Sequence, residues 1–169
     1  MNNQLYYILL FIGLILLQVL VLNNILLFDH VNPYLYIAFI FTFPFQQNRF
    51  TILTLSFFLG LCIDFFCDSG GIHAFSSLLI GYLRLYFFKI YFQKTEADFD
   101  FFNIKEEAFG KIFNYVASLT VIHHLFLFLL INFSLKNLSN VFLNTILSSV
   151  FTLILYFLGT FIFAENNKD

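Results

Sequence analysis

The stretch GLCIDFFCDSGGIHAFSSLLIGYLR, residues 60–84, joins two long apolar runs and carries an aspartate, Asp64, in surroundings typical of a membrane segment. An ionised carboxylate at the centre of a bilayer is costly, so such residues are rare there. The pattern indicates a helical hairpin with a polar turn centred near Ser69 and Gly70. Asp64 then lies about five residues, or ~8 Å, below the turn and close to the membrane boundary.

The composition of the chain is that of an all-α integral membrane protein. Of its 169 residues, 60% are hydrophobic and 11% are charged, whereas about 25% are charged in an ordinary soluble domain. We therefore expect residues 1–169 to form one transmembrane helical domain. The formal net charge is -2, and the sequence contains no basic patch that would indicate nucleic-acid binding. Cys62 and Cys67 match neither a redox nor a zinc motif, so we expect inert thiols.

The hydrophobic runs predict five long helices. A helix that crosses the hydrocarbon core needs about 20 apolar residues. The runs that reach or approach this length are residues 5–22, 50–66, 72–92, 111–133 and 138–163. No Lys or Arg precedes the first run and no small-residue cleavage site follows it, so we interpret it as a retained helix and not a signal peptide.

A shorter run, PYLYIAFIFTFP at residues 33–44, is bounded by prolines. The residues between the prolines would span ~15–18 Å as a helix. The run either crosses the membrane on a thinned or tilted path, or enters and returns, which is tolerated where protein shields its backbone. We expect it to cross, which gives six transmembrane helices; without this crossing there are five.

The distribution of basic residues predicts the orientation, because cytoplasmic loops of membrane proteins carry an excess of Lys and Arg. With six crossings and a cytoplasmic N-terminus, Lys136 falls outside and the C-terminus is cytoplasmic. The basic residues then on the cytoplasmic side are Arg49, Lys89, Lys94, Lys105, Lys111 and Lys168. If the short run does not cross, the N-terminus moves outside.

Residues 93–110 are predicted to form a cytoplasmic loop between helices 4 and 5. Its part QKTEADFDFFNIKEE has more acidic than basic residues and contains Phe99, Phe101, Phe102 and Ile104. We expect a solvated connector whose apolar side chains rest on the bilayer. The alternative is that these side chains dock against another protein.

Two kinds of helix surface are predicted to hold the bundle together. Transmembrane helices associate through close packing of small residues and through hydrogen bonds. Ser56 and Gly60 are four residues apart on one helix, as are Ser77 and Gly81 on the next. The last helix carries a polar stripe that we expect to face inward, for packing or alternatively to line a substrate cavity. This stripe consists of Asn140, Asn144, Ser148, Thr152 and Tyr156.

Asp64 has two candidate partners. His73 lies within one helical turn of it in depth and could pair with it through its side chain. Alternatively, Asp64 and Asp68 could accept hydrogen bonds from the exposed N–H groups at the start of the next helix, after the flexible Gly71. We favour the second arrangement, a hydrogen-bonded corner that sets the angle between two helices.

Arg84 and a histidine pair are the other polar residues within the predicted helices. Arg84 lies ~21 Å from the turn along the returning helix, whereas Asp64 lies ~8 Å from the turn, so the two differ too much in depth for a salt bridge. We therefore expect Arg84 to extend toward the cytoplasm or to contact Thr54 or Ser56. His123 and His124 are 100° apart on one helix. A metal site or proton relay needs further ligands or carboxylates that do not accompany them, so we expect neutral, hydrogen-bonded histidines.

The succession FFLGLCIDFFCDSGGIHAFSSLLIGYLR, residues 57–84, resembles the rod shape-determining protein MreD family in the form expected of Bacteroidetes. Gly60, Asp64, Gly71 and Gly81 carry the resemblance most directly. The chain length, the early LQVLVLNNILLF and the short NPYLYIAFIFTFP extend it over most of the chain. The resemblance implies a fold similar to that of the substrate-binding components of energy-coupling-factor transporters.

The resemblance also implies a non-enzymatic role without cofactors. Proteins of this kind are membrane scaffold subunits of the bacterial elongation complex, so the resemblance implies a location in the bacterial cytoplasmic (inner) membrane. Their implied partners are a bitopic MreC-like protein, the actin-like MreB, a RodA-type glycosyltransferase and a penicillin-binding transpeptidase. The alternative is a vitamin-binding subunit of an energy-coupling-factor transporter, in which Asp64 and His73 would line a pocket with the polar stripe. An intramembrane enzyme is not indicated, because no nucleophile–base pair or metal-ligand spacing is found.

Overall fold

A computed structural model describes residues 3–25, 32–133 and 138–165, and within these ranges the secondary structure is helical, without a strand. Short 3₁₀ turns flank several of the helices. The α-helices are α1 (Asn3–Leu20), α2 (Ala38–Thr42), α3 (Arg49–Cys67), α4 (Ile72–Phe92), α5 (Phe109–Asn132) and α6 (Leu138–Glu165). The five long helices lie where the hydrophobic runs predicted them.

Four of the helical segments in the described residues are long and apolar enough to cross a membrane. They are Gln4–Asn24, Arg49–Cys67, Phe109–Asn132 and Leu138–Ile162. The 21-residue α4 packs against both α3 and α5 but contains Arg84 and Lys89, which make it less apolar. The chain is therefore an all-helical protein with the helices of a membrane protein.

The bundle has two chemically different ends. We call the end where α3 begins and where α4 connects to α5 the basic end, after Arg49, Lys94 and Lys111, and its connection also carries acidic residues such as Glu107. We call the opposite end, at the tight turn between α3 and α4, the aspartate end. It contains Asp64 and Asp68.

Residues 33–44 form a short, enclosed segment and not an exposed loop. A 3₁₀ turn, Leu35–Ile37, leads directly into α2. At one end of the segment, the Pro33 carbonyl accepts a hydrogen bond from Gln18 near the end of α1. At the other end, the ring of Phe43 packs on Tyr7 near the start of α1. The segment therefore runs antiparallel to α1, from the aspartate end toward the basic end.

Protein surrounds this enclosed segment. The exposed fraction is between 0% and 2% for Tyr36, Ile37, Phe39, Ile40 and Phe41. Such shielding removes the main penalty against short or irregular backbone at membrane depth. The proline-bounded run is thus the centre of the bundle, with the longer helices outside it.

The connection between α4 and α5 closes the basic end with aromatic side chains. Phe102 is buried and packs on Phe88 and Phe92. The expectation that this side chain rests on the bilayer or on a partner is therefore wrong, because it packs on aromatic residues of the bundle itself. Phe101, by contrast, is 91% exposed.

Glu107 fixes the outer part of the same connection. Its carboxylate accepts a hydrogen bond from the Lys94 ammonium at 2.6 Å. The Lys111 ammonium lies 3.4 Å from the same carboxylate. The hydrogen bond from Lys94 lowers the pKa of the Glu107 carboxyl. The interaction is therefore present at neutral pH and is lost in acid, when the carboxyl becomes protonated.

The α3–α4 contact is close because small residues line it. A Cβ added at Gly60 would meet the backbone of His73 and Ala74. A Cβ added at Gly81 would lie 2.7 Å from the Ser56 hydroxyl oxygen. The two predicted small-residue surfaces thus lie against each other and bring the helix backbones together.

The polar stripe of α6 turns inward over part of its length. Ser148, Thr152 and Tyr156 are buried and Asn144 is half-buried, but Asn140 is exposed. The expectation that all five face inward is wrong for Asn140. Residues four apart drift by ~40° per step around a helix, so the stripe leaves the buried face within two steps.

We predict that Gly60→Ala destabilises the folded protein, whereas Gly13→Ala does not. The added methyl group at Gly60 must displace the backbone of α4, while Gly13 on α1 has no atom within 4 Å of the added group. Overpacking of this kind costs about 1–3 kcal/mol. Thermal unfolding of both variants in the same detergent measures the difference. Equal stability of Gly60→Ala and the parent protein would contradict the close α3–α4 contact.

Candidate functional site

Asp64 forms a hydrogen-bonded corner between α3 and α4. Its Oδ1 atom accepts hydrogen bonds from the Ser69 hydroxyl at 2.5 Å and the His73 backbone N–H at 3.0 Å. Its Oδ2 atom accepts one from the Ala74 backbone N–H at 2.8 Å. The first N–H groups of a helix have no partner within that helix and favour an anion. Asp64 thus has the geometry that the sequence favoured for it.

Asp68 does not share in this arrangement, contrary to the expectation from the sequence. It lies in the left-handed conformation at the end of α3, with φ of 52°, and its side chain is exposed. Its backbone N–H instead bonds the carbonyl oxygen of Asp64. Gly70 and Gly71 follow with φ of 66° and 98°. These positive φ values reverse the chain within a few residues, and glycine adopts them without steric cost.

Tyr36 connects two buried histidines from different helices. Its hydroxyl lies 2.9 Å from Nδ1 of His73 on α4 and 2.9 Å from Nε2 of His123 on α5. A tyrosine hydroxyl donates one proton, so one histidine accepts that proton and the other donates to the Tyr36 oxygen. The side chain of His73 therefore pairs with Tyr36, and the proposed side-chain pairing with Asp64 is not formed.

His124 belongs to a second chain of hydrogen bonds, whose proton positions follow from the chemistry of the partners. Nδ1 of His124 lies 2.8 Å from the Thr120 carbonyl oxygen, which can only accept. Nδ1 therefore carries a proton, and in a neutral ring Nε2 accepts one from the Thr152 hydroxyl at 3.1 Å. The Thr152 oxygen in turn accepts the backbone N–H of Tyr34 at 3.0 Å. The network thus joins α5, α6 and the enclosed segment.

The two tyrosines of the enclosed segment are the residues that sequence reasoning missed. The ring of Tyr34 packs against the rings of His73, His123 and His124. The signal was present as two aromatic hydroxyls within a short, proline-bounded apolar run. Their targets could not be identified, because the three histidines lie far away along the chain.

Arg84 is enclosed in the bundle, contrary to both predictions for it. Its side chain is 1% exposed, donates to the Phe43 carbonyl and stacks over the Phe45 ring at 3.9 Å. Phe43 is extended, as the residue before a proline usually is, and α2 ends just before it. The end of a helix leaves carbonyl groups without partners. Arg84 satisfies such a carbonyl in place of the Thr54 or Ser56 hydroxyls.

These polar groups can hold helices together and bind protons at defined atoms. Among the described residues, no three His, Cys, Asp or Glu side chains are arranged to hold a metal ion. His73 and His123 both bond the Tyr36 hydroxyl, and His124 bonds the Thr120 carbonyl. Structural hydrogen bonding therefore describes their geometry best.

We predict that Tyr36→Phe destabilises the protein more than Tyr34→Phe. The first change deprives His73 and His123 of their shared partner, whereas the second retains the packed ring and the backbone N–H that bonds Thr152. Leaving a buried polar group without a partner costs about 1–3 kcal/mol. Denaturation midpoints of both variants in one detergent make the comparison. A larger loss of stability in Tyr34→Phe than in Tyr36→Phe would show that the Tyr36 hydroxyl is not important for stability.

A second prediction concerns the corner. Asp64→Asn replaces one accepting oxygen with an NH₂ group, which cannot accept the N–H bonds of α4, so we expect lower thermal stability. Asp68→Asn keeps a residue type that tolerates the left-handed conformation, so we expect little change. Hydrogen exchange at the start of α4 reports the same difference locally. Unchanged protection of the His73 and Ala74 amides in Asp64→Asn would refute the corner's role.

No protein-family model, no curated protein and no solved structure matches this chain.

Proposed function

We propose that this chain is a non-enzymatic membrane scaffold subunit of the bacterial cell-elongation complex, of the MreD type. The resemblance of residues 57–84 to that family supports the proposal. Asp64, Tyr36 and His124 form hydrogen bonds between different helical elements, which also suits a scaffold.

One observation carries the proposal. The four residues that carry the resemblance all contribute to a single junction between α3 and α4. Gly60 lies against the backbone of α4, Asp64 bonds its first N–H groups, Gly71 begins it and Gly81 contacts Ser56. A motif that builds one rigid hairpin is what a scaffold needs, because partner proteins then meet a fixed surface.

The proposed topology has six crossings, with both termini in the cytoplasm of a bacterium. The enclosed segment supplies the second crossing, since it runs antiparallel to α1, and α4 supplies the fourth. The basic end then faces the cytoplasm, in accord with the excess of Lys and Arg in cytoplasmic loops. This arrangement is also the one expected of a fold like that of energy-coupling-factor substrate-binding components.

The alternative, vitamin binding, has less support. In that alternative, Asp64, His73 and the α6 stripe would line a ligand pocket. The Asp64 oxygens bond the backbone of α4, the His73 ring packs against Tyr34 and Tyr36, and Thr152 bonds His124 and the Tyr34 N–H. The enclosed segment therefore occupies the space around these side chains. The scaffold role is the better explanation of their contacts.

The proposed partners are a bitopic MreC-like protein and, through it, MreB, a RodA-type glycosyltransferase and a penicillin-binding transpeptidase. Depletion of the protein in its own bacterium tests this role directly. We expect rod-shaped cells to widen and round, and an MreC-like protein to co-purify with the tagged chain. Unchanged cell width together with a retained vitamin-sized molecule would favour the transporter alternative.

We further predict that Asp64→Leu fails to restore cell shape after depletion. Leucine cannot accept the three hydrogen bonds of the corner, so α4 would lose its fixed angle to α3. Cell width and protein level are measured together, with Asp68→Asn as the control that restores shape. Full restoration of cell shape by Asp64→Leu at normal protein level would show that the function does not need the corner.

A further inference from the structure

The charge of Arg84 is incompletely matched within the bundle. Its guanidinium has the Phe43 carbonyl, the Phe45 ring and the Tyr115 hydroxyl as neighbours, all uncharged, and its buried Nε atom lacks a hydrogen-bond partner. No carboxylate of the described residues forms an ion pair with it. Buried charges in proteins are normally paired, because removal from water is costly. Arg84 therefore has the capacity to bind a further anionic group.

A cavity connects Arg84 with a second arginine. This cavity of about 330 Å³ is lined by Arg84, Arg49, Leu85 and Phe99, together with the chain at residues 44–47. Arg49 is exposed at the first position of α3, with its guanidinium 4.9 Å from the centre of the Tyr82 ring. We call this space the arginine cavity. One buried and one exposed arginine thus line it, and a guanidinium group is suited to bind a phosphate.

A larger, mainly apolar groove shares residues 44–47 with the arginine cavity. Its volume is about 870 Å³, and Pro44, Phe45, Gln46 and Gln47 line both spaces. The groove follows one side of α1 from Gln4 through Tyr7 and Ile8 to Phe11 and Ile12. Its amide side chains therefore stand at the basic end, and its aromatic and aliphatic ones extend toward the middle of the bundle. This polarity is that of a lipid, with a headgroup at one end and a chain at the other.

We propose that the arginine cavity and the groove together bind one anionic phospholipid. The phosphate interacts with Arg49 and Arg84, the glycerol part crosses Gln46 and Gln47, and an acyl chain lies along α1 in the groove. Basic pockets between membrane helices on the cytoplasmic side are suited to anionic headgroups. The negative phosphate supplies the countercharge that Arg84 lacks, so the lipid stabilises the basic end of the bundle.

Native mass spectrometry of the full chain, with added phosphatidylglycerol or phosphatidylcholine, tests this proposal. We expect phosphatidylglycerol to remain bound as a single adduct and to raise the unfolding temperature, and phosphatidylcholine to be retained more weakly. The exposed Arg49 is the safer position for substitution, because loss of the enclosed Arg84 could impair folding. We expect Arg49→Gln to weaken phosphatidylglycerol binding about tenfold, as for loss of one charge-assisted contact.

Two further variants test whether lipid binding depends on this site. One controls for general surface charge and the other blocks the groove. Lys111→Gln removes a basic residue from the same end but outside both spaces, so it should bind phosphatidylglycerol like the parent protein. Ile8→Trp places a bulky ring in the groove at an exposed position of α1 and should reduce lipid retention with little effect on stability in lipid-free detergent.

Four results would overturn the proposal. Inorganic phosphate could stabilise the parent protein as much as phosphatidylglycerol does, which would indicate a site for a free anion. Phosphatidylcholine could bind equally well. Lys111→Gln could lose as much binding as Arg49→Gln. Finally, the parent protein could be found as a dimer that dissociates in Ile8→Trp, which would assign the groove to a second copy of the chain.

Discussion

A buried polar group inside a hydrocarbon layer must find its partner within the protein, and the structure depends on this constraint. Asp64 is the clearest case. Its carboxylate would be costly in lipid and is accommodated because three donors surround it. Two of these donors are backbone N–H groups of α4 that would also lack partners. One interaction thus satisfies both sides and fixes the turn, on which the close approach at Gly60 depends.

The same constraint explains how the enclosed segment is held. An apolar run packs on lipid about as favourably as on other apolar helices. Apolar contacts alone therefore do not fix its position in the bundle. Tyr36 and the backbone N–H of Tyr34 supply that specificity, through His73, His123 and Thr152. At the other end, Arg84 bonds the carbonyl that precedes Pro44. Both ends of the segment are therefore anchored by hydrogen bonds to the longer helices.

Sequence reasoning identified what depends on local pattern. The five long helices followed from hydrophobic length, and the Asp64 corner followed from spacing, because its donors are nine and ten residues away. The partners of Arg84 and Tyr36 could not be deduced in the same way. Phe43 is 41 residues from Arg84, and His123 is 87 residues from Tyr36. Contacts of this kind depend on how helices are arranged, which the periodicity of one helix does not specify.

The long sequence separation of the contacts to the enclosed segment has a consequence for biosynthesis. The Tyr34 amide and the Thr152 hydroxyl are 118 residues apart, so a ribosome must synthesise the chain through Thr152 before they can meet. Until then, residues 33–44 can pack on α1 but lack the neighbours that α5 and α6 provide. The centre of the bundle is thus completed late in folding, and chains that end before α5 should leave one side of this segment exposed.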